Sequence, residues 1–170
     1  MKKLLVFCAS ALLLGLTACS PEETATLPSP HEPDANSVAY FCHMSLPEHE
    51  GPKGQLFLRG QKEPVWFASV SEVFMFLATE LAQPRDLVAV YVNDMAQGSW
   101  EKPAPGAWIG VEKAFYVVGS SKTSAMGERE AVPFSSREAA LAFQQNFGGE
   151  VVDFATAKAA LSAELAESGS

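Results

Sequence analysis

Apolar and polar positions change period along this chain, and the period separates its strands from its helices. Residues 4–16 form an unbroken apolar run preceded by Lys2 and Lys3. That run is short for a bilayer span and is flanked as a secretory signal is. Residues 20–36, rich in proline and acid, offer almost nothing to bury and predict a flexible tether in which His31 is solvated. From there the pattern is that of a folded body. Residues 55–59 and 65–68 predict strands joined by the turn-forming Gly60 to Pro64. Ser69-Val70-Ser71-Glu72 opens a helix with a serine cap and an acid in the first turn. Val70, Val73, Phe74, Leu77 and Leu81 place one apolar stripe on it, and Pro84 ends it. Residues 87–92 are apolar throughout, the pattern of a strand covered on both faces.

The second half repeats this order. Residues 114–118 and 131–134 predict strands, and Ser135-Ser136-Arg137-Glu138 opens a helix carrying Ala139, Ala140, Phe143 and Phe147. Gly148 and Gly149 stop it. Residues 150–154 predict a closing strand and 156–167 a terminal helix. Residues 93–106 between the halves read as a loop, with Trp100 and Trp108 packing over the seam. A hairpin and one helix bury little alone, so the repeat predicts an α+β fold of two similar ββαβ units packed into one compact body. The divisions are a signal peptide at 1–18, a lipidated tether at 19–36, a first unit at 37–95 and a second unit with the C-terminal helix at 96–170.

The signal ends in Leu16-Thr17-Ala18-Cys19, the pattern of a bacterial lipobox. Cleavage before Cys19 would make it the lipid-bearing N-terminus, and several acyl chains hold a protein at a membrane without a spanning helix. Ser20 after the cysteine directs such proteins to the outer membrane. The formal charge of −8 excludes nucleic acid as a natural partner.

Processing also changes the thiol count. Cys8 leaves with the signal and Cys19 is consumed as a thioether, so Cys42 is the remaining free thiol. An unpaired cysteine in an exported protein is a reactive group, an intermolecular partner, a metal ligand or an inert buried side chain. Its neighbours keep the ligand reading open beside the inert one. Were the chain extended there, Cys42 and Met44 would share one face with His43 on the other. A thiolate beside a thioether is a soft site of the kind that selects Cu(I). His49, after Pro47, could return over the sulfurs. Met126 lies in a polar loop with no apolar periodicity, either as a loop plug or as an exposed thioether. Met95 and Met75 are better explained by packing. There is no C-x-x-C pair and no acid oriented on a Cys–His pair, so an enzyme is not predicted.

Phe41-Cys42-His43-Met44, continued by Glu48-His49-Glu50-Gly51-Pro52-Lys53-Gly54-Gln55, resembles the NosL family of nitrous oxide reductase accessory lipoproteins. So do Ala89 to Ala96, Tyr116 to Ser120, Met126-Gly127 with Pro133-Phe134 downstream, and Gly148-Gly149-Glu150. The resemblance spans nearly the whole chain beyond the signal. It implies an outer-membrane, palmitate-bearing lipoprotein that faces the periplasm and carries Cu(I) for the copper centre of nitrous oxide reductase. The implied metal ligands are Cys42, Met44, Met126 and His49, with His43 at a less restricted position, and Cys19 is the lipidation site. The implied partners are the reductase and its envelope ABC-type maturation machinery, and the implied fold is one also likened to alkylmercury lyases (MerB-like). The lyase activity itself does not follow, because it needs several cooperating thiols.

Overall fold

The computed structural model describes residues 26–79, 86–124 and 126–168. The apolar leader, Cys19, Leu81 and Pro84 lie outside them. Strand β1 (Gly54–Leu58) pairs antiparallel with β2 (Val65–Phe67) and β3 (Leu87–Asn93), and β4 (Trp108–Gly110) extends the sheet in the order β2-β1-β3-β4. Helix α1 (Val70–Ala78) joins β2 to β3. A second antiparallel sheet, in the order β6-β5-β7, contains β5 (Phe115–Val118), β6 (Val132–Phe134) and β7 (Glu150–Val152). Helix α2 (Arg137–Phe147) joins β6 to β7, and α3 (Phe154–Ser168) follows. The described residues therefore form an α+β fold, with two antiparallel sheets and three α-helices.

Local chemistry explains where these elements start and stop. The Ser69 hydroxyl accepts the Glu72 N–H at 3.1 Å, and the Glu72 carboxylate reaches back to the Ala68 N–H at 2.8 Å. Two orphan donors of the first turn are thus satisfied reciprocally, and a cap of this kind is worth about 1 kcal/mol. Thr79 turns extended, and its hydroxyl donates to the Phe76 carbonyl at 2.7 Å. The helix therefore closes at Ala78, ahead of the proline expected to end it. The predicted strand at 150–154 also ends early. The Asp153 carboxylate accepts the Thr156 N–H at 2.8 Å, so Phe154 begins α3 and stacks its ring on Phe74 at 5.5 Å. Strand β4 was hidden in sequence because three residues carry no readable period. Pro133 is tolerated within β6 because β6 is a sheet edge, where its missing N–H breaks no ladder bond.

Phe67, Val73, Phe74, Val92, Tyr116, Val152 and Ala157 belong to one core shared by both sheets, α1 and α3. Gly54 brings α1 down onto β1, since the Cγ2 of Val73 occupies the space that a Cβ there would need. Two buried acids join the halves. The Asp94 carboxylate, just past β3, accepts the Ser135 N–H at 3.0 Å at the entrance to α2. Burial alone would raise the Asp94 carboxyl, but hydrogen bonds from Ser135, Ala96 and Gln97 outweigh it and hold it below the ordinary carboxylate value. Glu130, just before β6, makes the corresponding contact with Ser71 at the entrance to α1, accepting its N–H at 2.9 Å.

Gln55 and Phe57, on the face of β1 opposite α1, are buried as well, because the segment leading into the body covers them. The Gln55 side chain accepts the His31 N–H at 2.8 Å and donates to the His31 carbonyl at 2.9 Å. The Tyr91 hydroxyl donates to the Pro28 carbonyl, and the Trp108 indole donates to Glu32 at 2.7 Å. The His31 ring meets Phe57 edge-on at 5.3 Å. Residues 28–32 are therefore a docked arm, and the expectation of a solvated His31 in a flexible tether fails there. The cause is Gln55, a polar side chain inside a strand whose amide reads the arm's main chain.

Candidate metal-binding site

Cys42 sits at the tip of a tight turn. Val38 and Ser45 form an isolated antiparallel bridge, the Met44 carbonyl accepts the Ala39 N–H at 3.0 Å, and the Ala39 carbonyl accepts the His43 N–H at 3.0 Å. Closing the loop forces His43 into the left-handed region, with φ 57°. A histidine there is strained relative to glycine. The sequence reading of an extended C-x-M pair with both sulfurs on one face is thus corrected, because the chain reverses between Phe41 and Met44 and strand alternation does not apply. The turn is tied to the first sheet through the Tyr40 N–H, which donates to the Trp66 carbonyl at 2.8 Å.

His49 reaches Cys42 by a short route. Pro47 starts a single 3-10 turn over Leu46–Glu48, and the His49 N–H closes it on the Leu46 carbonyl at 3.2 Å. This brings the His49 Nε2 to 3.7 Å from the Cys42 Sγ. His49 is buried at 8 % exposure, and the half-buried Cys42 packs against Ala39, Leu46, Trp66 and Ala68 with Trp108 beside it. That separation is within hydrogen-bonding reach for sulfur, and it places the thiol and the imidazole close enough for one metal ion to take both. No three His, Cys, Asp or Glu side chains gather to hold a metal among the described residues.

Both candidate methionines are accessible. Met44 is 47 % exposed and Met126 54 % exposed. Met126 lies in a turn closed by a bridge between Thr123 and Arg129 and by the Ser124 N–H donating to the Glu128 carbonyl at 2.8 Å. Gly127, at φ 83°, supplies the left-handed residue that this turn needs. The structure thus brings Cys42 and His49 together, leaves Met44 and Met126 open to solvent, and exposes His43 at the tip of the Cys42 turn.

Sequence reasoning missed three charged groups behind the site. Lys53 is buried, and its ammonium donates to the Gly51 carbonyl at 2.6 Å. Burial lowers it to about 8, opposed by the charges of Glu130 and Glu50. Glu130 is 2 % exposed, and burial raises it to about 8 against hydrogen bonds from Ser71 and Ala131 and the charge of Lys53. Burial also raises Glu72, despite the Ala68 N–H that it accepts. The available signal was an isolated charge at the mouth of an apolar run, as in Glu130-Ala131-Val132 and Pro52-Lys53-Gly54.

Comparison with known proteins bears on this arrangement. The NosL family model matches residues 30–162. The copper-binding lipoprotein NosL of Achromobacter cycloclastes is 41 % identical over 167 residues, covering 97 % of this chain and 85 % of its own length. The copper-binding lipoprotein NosL of Stutzerimonas stutzeri is 34 % identical over 165 residues, covering 93 % and 82 %. Among solved structures, the crystal structure of the copper chaperone NosL from Shewanella denitrificans superposes with a TM-score of 0.68 at 34 % identity, over 75 % of this chain and 94 % of that one. With the family model matched from the docked arm through most of α3, the chain belongs to the NosL family.

Proposed function

We propose that this protein is a periplasm-facing lipoprotein, anchored through Cys19 in the outer membrane, that carries Cu(I) to the assembly of the copper centre of nitrous oxide reductase. The observation that carries this reading is the Cys42 thiol set 3.7 Å from the His49 imidazole, a soft sulfur and a nitrogen within reach of one ion. Met44 and Met126 supply thioethers to fill the site. An incomplete shell on exposed turns suits a carrier, because a partner offering more ligands can invade it. The relatives are named for copper binding and copper delivery, and neither is an enzymatic activity. The partners on this reading are the reductase and its envelope ABC-type maturation machinery. The matching order of the two sheets, β2-β1-β3 and β6-β5-β7, supports descent from a duplicated ββαβ unit.

The test is metal analysis of protein loaded anaerobically with Cu(I), before and after alkylation of Cys42. One copper per chain that is lost on alkylation supports the carrier. Copper in neither sample leaves the alternative, a metal-free docking factor for the same machinery. Copper retained after alkylation removes Cys42 from the site.

A further inference from the structure

The two candidate ligand arms hang on one short piece of backbone. The Cys42 turn is hydrogen-bonded to Trp66 in the middle of β2, and the Met126 turn is fastened a few residues further on, at the start of α1. The second fastening is dense. The Ser71 hydroxyl donates to the Arg129 carbonyl at 2.6 Å. The Glu130 Oε1 accepts the Ser71 N–H at 2.9 Å and the Ala131 N–H at 2.9 Å, and lies 3.1 Å from the Ser71 Oγ, whose single proton goes to the nearer Arg129 carbonyl. By contrast, the bonds from Ser124 to Glu128, Gly127 and Met126 lie within the turn itself. The contacts that tie this loop to the β2–α1 junction are therefore the ones at its foot. At its other end, the Ser121 N–H donates to the Phe147 carbonyl, and the Lys122 ammonium lies over the rings of Trp100 and Phe147 at 4.8 and 5.0 Å.

We propose that Glu130 is a positioning residue for the metal site. Through Ser71 it locks the foot of the 123–131 loop to the β2–α1 junction and so holds Met126 where it completes the Cys42–His49 pair. The proposal rests on the copper reading above and adds to it a group that touches no metal. The Lys53 side chain supports the lock from the other arm, since it grips Gly51 in the segment after His49 while its charge acts on Glu130. Both backbone hydrogen bonds fall on one oxygen, so a neutral amide can reproduce them: Glu130→Gln keeps the acceptor and Glu130→Ala removes it.

The experiment compares Cu(I) competition affinities of wild type, Glu130→Ala, Glu130→Gln, Met126→Leu and the double variant Glu130→Ala/Met126→Leu. Amide exchange of the loop in the metal-free proteins is measured alongside. The expected result is a loss of about tenfold for Glu130→Ala, the lower end for a residue that orients a metal ligand. Met126→Leu should show a similar loss and the double variant no more than either. Glu130→Gln should match wild type, and the amides of Ser124 and Gly127 should exchange faster in the two proteins that carry Glu130→Ala and in neither of the other variants. Wild-type affinity in folded Glu130→Ala, additive losses in the double variant, or Glu130→Gln as weak as Glu130→Ala would each overturn the proposal. Should Glu130→Ala fail to fold, Ser71→Ala removes the hydroxyl that ties the same junction to the Arg129 carbonyl, and a loss of a few-fold that vanishes in the Met126→Leu background is the result required of it. Wild-type affinity in Met126→Leu would overturn the proposal through the ligand reading, and faster loop exchange in Glu130→Ala would mark that failure as distinct.

Discussion

The Cys42 Sγ and the His49 Nε2 stand 3.7 Å apart, across a single 3-10 turn that Pro47 starts. The imidazole is the buried partner, so its position is set by packing around Leu46. The predicted order of losses follows. Cys42→Ser removes the soft anionic ligand and should lower Cu(I) affinity the most. His49→Ala removes a neutral one that a methionine can partly replace, and should cost at least about tenfold, or about 1.4 kcal/mol. Competition titration against a Cu(I) chelator measures both, and equal affinity in all three proteins would remove the pair from the site.

Stability should pass through a minimum near pH 8. Glu130, raised to about 8 from 4.5, holds its proton more tightly in the folded chain, so its contribution is full below pH 4.5 and is lost as pH rises toward 8. Glu72 is shifted the same way and adds to that loss. Lys53, lowered to about 8 from 10.5, releases its proton more readily when folded, so stability returns between pH 8 and 10.5. Melting temperatures followed across that range should dip in wild type. The descending limb should be shallower in Glu130→Gln, and a flat wild-type profile would contradict the assignment.

Gly54→Ala should destabilise by about 1–3 kcal/mol, the usual size of overpacking in a well-filled core. The new methyl would meet the Val73 side chain, and α1 would have to lift off β1. Urea unfolding should show a lower midpoint with an unchanged slope. A second change, Val73→Ala, should recover part of the loss by vacating the space.

Gln55→Leu should release the arm. It leaves the His31 N–H and carbonyl without their partners, a cost of about 1–3 kcal/mol if they stay buried. Detachment of residues 28–32 avoids that cost. The measurable sign is faster amide exchange at His31, with copper affinity unchanged because the Cys42 turn is anchored separately on Trp66.

The parts of the fold that read clearly in sequence are those whose residues repeat with a period. The stripe Val70, Val73, Phe74 and Leu77 and the apolar run at 87–92 gave α1 and β3 because burial selects every residue on one face. Strand β4 and the docked arm did not, since a three-residue strand has no period and the arm is held by a buried glutamine rather than by its own side chains. At the site, residue types were legible while geometry was not. Cys42, His49 and Met126 stood out by chemistry. The reversal at His43 could not be read, because a non-glycine residue in the left-handed region is dictated by loop closure and leaves no mark in composition.

Asp94, just past the first sheet's β3, holds Ser135, whereas Glu130, just before the second sheet's β6, holds Ser71. Each half therefore begins its helix on an acid lent by the other. Neither can be excised as a self-sufficient module, because cutting between them would strand two buried carboxylates and strip two helix entrances at once. A chimera with another family member would have to exchange both acids together with the serines they serve.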